Sequence, residues 1–228
     1  MQDLKNIVII NGSPKVSLSS TSNCLSKVCE KSMKSDALQV LRVNVRESLT
    51  HKGWDEAFEM MLKADALVFI FPLYVFCLPG MMMRFLQDYF AFFRKKGGDA
   101  GKTKVYAVVN CGFPEADINR EAVEVIRCFS KKIGADFRFG VLVGGGGMFT
   151  DVTENASFMK KTFTELENSF RLMARDIQGS LSEPLRGISV QIGIPRKLYL
   201  FMADKGWISV ARKNGLKKKQ LYARPYIN

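Results

Sequence analysis

"IVIINGSPKVSLSSTSN", residues 7 to 23, decides how the rest of the chain is read. Ile7 to Ile10 form a branched apolar run with no polar face, the pattern of a strand buried on both sides. The run ends in Gly-Ser-Pro-Lys, where Gly12 allows a sharp exit. Six of the seven residues from 17 to 23 then carry a hydroxyl or an amide. A helix N-cap by Ser20 or Ser22 needs only one of them. A strand-to-helix loop of this composition suits an anion better. N–H groups at the helix start point at the ligand, the hydroxyls add donors, and Lys15 adds a charge. Neither G-x-x-x-x-G-K-[ST] nor G-x-G-x-x-G is present, so this is no Walker loop and no dinucleotide fingerprint.

Working outward, strand and helix patterns alternate through residue 143. Strands are expected at 4–11, 38–45, 66–71, 103–110 and 136–143. Helices are expected at 21–34, 54–63, 80–94, 117–132 and 155–175. Leu25, Val28 and Cys29 form the apolar face of the first helix. Ile118, Ala122, Val125, Ile126 and Phe129 form that of the fourth. The segment "ALVFIF" (66–71) has no polar face and belongs at the sheet centre. Asp65, Pro72 and Pro79-Gly80 argue against a membrane helix in the apolar window 64–83. Five strands alternating with helices predict a doubly wound α/β domain over 1–176, with a parallel sheet covered on both faces.

Residues 177–228 break the pattern, first with Gly, Ser and Pro, then with one or two basic helices. They read as a basic, partly helical extension packed on the first domain. The chain of 228 residues carries a net charge of +12, and 177–228 hold +8 of it. Such a tail suits an anionic partner or is simply a solvated face. The five cysteines are scattered without a C-x-x-C, and His51 is the single histidine. No metal site or disulfide framework is expected. The N-terminus lacks a secretory pattern, which points to the cytoplasm.

In an open parallel sheet, ligands bind at the carboxyl ends of the strands where strand order reverses. Three loops there are unusual. The first is the hydroxyl-rich loop above. The second is "PLYVFCLPG" (72–80), apolar and aromatic, stiffened by Pro72 and Pro79. It would lie under a flat ligand or pack into the core, and for Phe76 and Leu78 both readings stand open. The third is "NCGFPEAD" (110–117), where Gly112 permits close backbone approach. Cys111 there lacks a base or a cationic partner and is a poor nucleophile. The glycine run 144–147 reads either as a flap over the same edge or as a loop permitting close packing.

Taken in order, "GSPK…SSTSN", "PLYVFCLPGMMMRFLQDYF" and a strand ending in "NCGF" resemble the flavodoxin-like NAD(P)H-dependent FMN reductases over residues 4 to 175. The resemblance implies a five-stranded sheet in the order 2-1-3-4-5 and noncovalent FMN. By the same resemblance Ser13, Ser20, Thr21, Ser22 and Asn23 would hold the phosphate. Pro72, Leu73, Tyr74, Val75 and Phe76 would line the isoalloxazine, and Asn110, Cys111 and Gly112 would meet its pyrimidine side. No protein acid or base is required, since the cofactor carries the redox chemistry and NAD(P)H is the co-substrate. The acceptor would be a quinone, a flavin, a nitro or azo compound, or a metal ion. The resemblance further implies a homodimer. This first loop is longer than the compact family form, and the basic extension lies outside the common core. Two alternatives remain open: a flavodoxin-type electron carrier, against which the basic charge argues, and a flavin-free binding or membrane-associated module. For the tail, a dimer contact or an active-site lid ranks ahead of lipid contact, and nucleic acid is not expected as a partner.

Overall fold

The computed structural model describes residues 4–15, 20–50, 54–149, 156–179 and 181–224. His51, Ser17 and Ser19 lie outside these. Six strands form one all-parallel sheet in the order β2-β1-β3-β4-β5-β6. The strands are β1 (Lys5–Asn11), β2 (Leu38–Asn44), β3 (Ala66–Pro72), β4 (Lys104–Asn110), β5 (Asp136–Val143) and β6 (Ile188–Val190). The helices are α1 (Thr21–Ser32), α2 (Val45–Thr50), α3 (Asp55–Leu62), α4 (Gly80–Lys95), α5 (Arg120–Lys132), α6 (Lys160–Ile177) and α7 (Arg196–Lys213).

The five expected strands are all present, and the order 2-1-3-4-5 holds among them. The five-stranded count is corrected to six. β6 is three residues long and lies inside the Gly- and Pro-containing stretch that interrupts the pattern. Such a length leaves no periodicity to detect. It pairs with β5 through Val141 to Val143. α2 is a second addition. Asn44 Oδ1 accepts from the N–H groups of Arg46 (3.1 Å) and Glu47 (3.4 Å), which starts a helix directly at the end of β2.

The core follows from the alternation of strand side chains. Val8, Ile10, Leu67, Phe69, Phe71, Val105, Ala107 and Val109 face α3, α4 and α5 in one cluster. There Trp54, Phe58, Phe85 and Tyr89 pack edge-on or tilted, with centroids 5.2–5.9 Å apart. The opposite face carries α1 and α6, which pack on each other. Crossovers β3–α4–β4 and β4–α5–β5 step toward β6 with their helices on the first face. The β5–α6–β6 connection steps the same way with its helix on the second face, so it has the opposite hand to the usual crossover. The connection is long, and α6 covers the sheet beside α1.

A buried ion network holds α6. Asp176, fully buried, receives the Arg138 guanidinium through Nε and Nη2 (2.9 Å each) and the Tyr106 hydroxyl (2.8 Å). Lys104 Nζ lies 3.4 Å from the same carboxylate. Burial pushes the Asp176 carboxyl up, but the hydrogen bonds from Arg138 and Tyr106 and the charge of Lys104 outweigh it, and the net shift is downward. These residues sit at the amino-terminal ends of β4 and β5, away from the loops discussed below.

The chain divides into two compact units, Met1–Ile192 and Gly193–Asn228. The first holds the whole sheet with α1–α6, and the second holds α7 and a short 3-10 turn at Lys218–Tyr222.

Candidate functional site

The carboxyl ends of the strands lie in register, with Pro72 opposite Asn110 and Asn110 opposite Val143. Four loops leave from this edge, and side chains from the sequence-predicted set tie them together. Asn110, 4% exposed, is the central one. Its Nδ2 donates to Ser22 Oγ in α1 and to the Phe71 carbonyl in β3, both at 3.1 Å. Its own carbonyl accepts from Leu73 N–H at 2.7 Å. The first, second and third loops therefore meet on one residue.

The first loop begins at Gly12, whose N–H donates to the Ile70 carbonyl at 2.9 Å. A Cβ at this position would lie 2.8 Å from Met82 Sδ and 3.1 Å from Phe71 Cβ. Close packing under the loop, rather than left-handed backbone, thus favours glycine there. Ser13 is buried; its N–H donates to Asn11 Oδ1 (3.0 Å), and its Oγ accepts from Lys15 N–H (3.3 Å). Lys15 is exposed.

Ser20 caps α1, accepting from Asn23 N–H at 3.3 Å. Thr21 Oγ1 donates to the Gly146 carbonyl at 2.7 Å. Asn11 Nδ2 donates to Asn23 Oδ1. Thr21, Ser22 and Asn23 are thereby committed to holding loops together. An accepting hydroxyl keeps its own proton for a further partner, so Ser20 and Ser22 still have a donor to offer. The first-turn N–H groups of Thr21 and Ser22 have no acceptor within the helix, and the positive end of α1 faces the same loop. Arg46, absent from the sequence-predicted set, donates through Nη1 to the Pro14 carbonyl and brings a second cation to this loop. It was hidden because α2 itself was not foreseen.

The second loop makes a tight turn. Tyr74 N–H donates to the Cys77 carbonyl and Cys77 N–H to the Tyr74 carbonyl, both at 2.9 Å. Val75 and Phe76 between them have φ of 49° and 58°. No other non-glycine residue described has positive φ. Both lie in the left-handed region, where a β-branched residue such as Val75 is an outlier. The turn resembles the type I′ hairpin turn, whose preferred residues are Asn and Gly. Val75 is 94% exposed, Phe76 62% and Tyr74 43%. Leu78 is buried in the core. The two readings of the loop thus separate by residue: Leu78 packs inward, while Tyr74, Val75 and Phe76 project outward from the end of a fully buried strand. Pro72 and Leu73 lie between these extremes.

In the third loop Gly112 is exposed, and a Cβ there would meet nothing within 4 Å. Phe113 beside it is 51% exposed and adds an aromatic side chain that the sequence reading did not single out. Cys111 is buried; burial pushes its thiol up, partly opposed by the Phe113 carbonyl and Asn119 hydrogen bonds. A neutral thiol of this kind is a packing residue, not a nucleophile.

The glycine run forms a packed latch. Gly144 N–H donates to the Val190 carbonyl (3.0 Å), Gly145 N–H to Phe113 (2.6 Å) and Gly146 N–H to Cys111 (2.6 Å). A Cβ on Gly144 would sit 2.2 Å from the Pro114 carbonyl oxygen. Of the two readings of this run, close packing is the one the structure adopts.

A cavity of about 260 Å³ opens on the β2 side of the first loop, lined by Asn11, Asn23, Arg42, Asn44 and Glu47 among others. The Tyr74–Cys77 turn lies on the β3 side. The edge between them offers a solvent-facing aromatic platform, an open glycine and the positive end of a helix, which together suit a flat ligand with an anionic tail.

A family model described as "Flavodoxin-like fold" matches residues 5–126. Comparison with the curated proteins finds no match. Among solved structures, an FMN-dependent NADH-azoreductase from Bacillus anthracis in complex with FMN is similar over 74% of this chain and 99% of its own, with a TM-score of 0.51 and 17% identity. An NAD(P)H:quinone oxidoreductase from Methanothermobacter marburgensis is similar over 75% and 96%, with a TM-score of 0.54 and 14% identity. A flavone reductase is similar over 80% and 66%, with a TM-score of 0.57 and 12% identity. At these identities the likeness is one of fold.

Proposed function

This chain belongs to the flavodoxin-like fold family, and on that premise we propose that it is an FMN-dependent oxidoreductase. It would take electrons from NAD(P)H and pass them to a small acceptor: a quinone, a flavin, a nitro or azo compound, or a metal ion. The observation that carries this reading is the Tyr74–Cys77 turn. It holds Val75 and Phe76 in left-handed backbone and leaves aromatic side chains exposed at the end of a buried central strand. Strain and solvent-facing rings at one switch-point loop are features that a bound ligand accounts for and that folding does not need.

The residues present fit FMN on both sides of the molecule. Tyr74 and Phe76 offer area for a flat ring, and the turn's backbone lies open around Val75. The α1 N-terminus, the Ser20 hydroxyl and the cations Lys15 and Arg46 suit a phosphate. Of the phosphate set named from sequence, Thr21 and Asn23 would act through loop structure, since their side chains are engaged with Gly146 and Asn11. Bound FMN would supply the redox chemistry. The chain's own part is to orient the ring against the 74–77 turn, to anchor the tail at α1, and to keep both loops in register through Asn110. The open face at Gly112 leaves room for a second flat molecule.

The test is cofactor uptake. Purified protein titrated with FMN should become yellow and saturate at one FMN per chain, and NAD(P)H under anaerobic conditions should bleach it. Tyr74→Ala combined with Phe76→Ala should weaken uptake by roughly tenfold or more, since each ring contact contributes on the order of 1 kcal/mol. The melting temperature of the apoprotein should not fall, because neither ring is buried. A protein that takes up no FMN would refute the reading.

A further inference from the structure

The cavity on the β2 side of the first loop is a part of this edge that the FMN reading does not use. About 260 Å³ in volume, it is lined by Asn11 of β1, Asn23 and Ser26 of α1, Arg42 and Asn44 of β2 and Glu47 of α2, among others. Asn11 lies opposite Asn44 in register, and Ile9 opposite Arg42, so these four share one face of the sheet. α1 covers that face. Apolar side chains are the rule where a helix meets a strand, yet Asn11 is 6% exposed and Ser26 2%. Polar groups persist at such positions when partners satisfy them.

Part of the wall is satisfied from within. Asn11 Oδ1 accepts from Ser13 N–H at 3.0 Å, and its Nδ2 donates to Asn23. Ser26 Oγ donates to the Ser22 carbonyl at 2.7 Å and can still accept. Asn44 Oδ1 accepts from the N–H groups of Arg46 and Glu47, and Arg42 pairs with Glu30 through Nε at 3.3 Å. Among the described residues, Asn44 Nδ2 and the terminal nitrogens of Arg42 have no protein partner. The bonds already made fix the wall, and the capacity left over is a mixture of donors and acceptors.

That mixture narrows the ligand. Arg42 and Glu47 offset each other in charge, so the cavity suits a neutral polar group better than a bare anion. Amides read the edge of a base, where donors and acceptors lie side by side. A guanidinium plane stacks on a base, and a carboxylate accepts from ribose hydroxyls. The volume falls just below the roughly 300–1,000 Å³ of pockets for drug-sized ligands and suits a single nucleoside. Position supplies the rest. Asn11 holds Ser13 and Arg46 holds the Pro14 carbonyl, so the wall runs directly into the loop read above as the phosphate anchor.

We propose that this cavity is a nucleoside subsite, taking the adenosine half of a dinucleotide whose phosphates rest on the first loop. Two molecules carry that half: a flavin dinucleotide, FAD, in place of FMN, and the NAD(P)H co-substrate. The inference rests on the FMN reading for its phosphate anchor, and different ligands test the two.

The full chain, free of flavin, is titrated calorimetrically with AMP and with ribose 5-phosphate, which has the sugar and the phosphate but no base. AMP should bind at least about tenfold more tightly, the discrimination expected of one base-edge contact. Asn44→Ser keeps an oxygen to cap α2 and withdraws the amide donors. It should lower AMP affinity about tenfold, leave ribose 5-phosphate within about twofold, and leave the thermal melt unchanged. FAD binding about tenfold tighter than FMN would identify the flavin's own adenosine as the occupant. Equal affinity for FMN and FAD, with AMP competing against NAD(P)H in bleaching the FMN-loaded protein, would identify the co-substrate. Base-dependent AMP binding without FMN uptake removes the redox reading and leaves the subsite standing. Three outcomes overturn the proposal: AMP binding no better than ribose 5-phosphate in a chain that takes up FMN, AMP binding unmoved by Asn44→Ser, or equal FMN and FAD affinity without AMP competition.

Discussion

Replacing Val75 by Asn should make the apoprotein more stable, although Val75 touches almost nothing. Its φ of 49° lies in the left-handed region, where an L-residue is raised by roughly 1–2 kcal/mol and a β-branched one sits toward the upper end. Asn occupies that region far more readily. At 94% exposure the valine side chain has little burial to forfeit. The expected gain is therefore about 1 kcal/mol, a rise of about 2–4 °C in melting temperature for a chain of this size. Urea unfolding followed by circular dichroism should show a higher midpoint with an unchanged slope. Two companions fix the cause. Val75→Gly relieves the same strain but loosens the unfolded chain by roughly 0.5–1 kcal/mol, so it should come out near neutral. Val75→Pro fixes φ near −65°, which the turn cannot accommodate, and should both destabilise the protein and abolish FMN uptake. Val75→Asn should bind FMN as the parent does. If Asn fails to stabilise, the left-handed turn is not where the strain resides. If Val75→Pro folds normally and still takes up FMN, the turn is not the platform for the ring.

Other consequences follow from single contacts. Gly144→Ala places a Cβ 2.2 Å from the Pro114 carbonyl oxygen and should cost about 3 kcal/mol, whereas Gly147→Ala, with nothing within 4 Å, should stay within about 0.5 kcal/mol; chemical denaturation of the pair checks the latch. Asp176→Ala takes the two-pronged carboxylate from buried Arg138, which keeps only Asp136 and the Leu181 carbonyl, and should cost about 3 kcal/mol. Because the folded-state pKa of Asp176 is lowered, its contribution is fully present above the unfolded carboxylate value and fades as pH falls through the lower folded one. A melting series from neutral to strongly acid pH should show a steeper acid loss in the parent than in Asp176→Asn. Iodoacetamide at mildly alkaline pH should label exposed Cys128 first and leave Cys29 and Cys111 until unfolding, since burial pushes both thiols up; early labelling of Cys111, read by peptide mass, would contradict its packing role.

What was legible in the sequence was whatever forms a long apolar run or repeats with a period. Ile7–Ile10, Leu67–Phe71 and Val105–Val109 are apolar without interruption, and each is a fully buried central strand. β6 has only Ile188, Ser189 and Val190, too short for a period, and its place was decided by the unpaired edge of β5 after α6 had gone to the other face. The site divides along the same line. Residue type announced the hydroxyls of the first loop and the greasy second loop. It did not announce that Thr21, Ser22 and Asn23 would each be taken up by a residue 12 to 125 positions away, because such partners exist only once the strands are in register. Nor did it announce a valine in a conformation that Asn or Gly prefers. That last mismatch is the more informative kind: local preference and global structure disagree at one turn, and such disagreement is tolerated where a site gains from it. The hydroxyl-rich loop is accordingly as much a clasp between loops as a cradle. Asn110 shows the coupling, since its buried amide ties α1 to the end of β3 while its main-chain carbonyl holds Leu73 of the second loop. Loss of that amide would release both α1 and the end of β3 from which the second loop leaves, so the anchor for the tail and the platform for the ring should loosen together even though the main-chain bond to Leu73 remains.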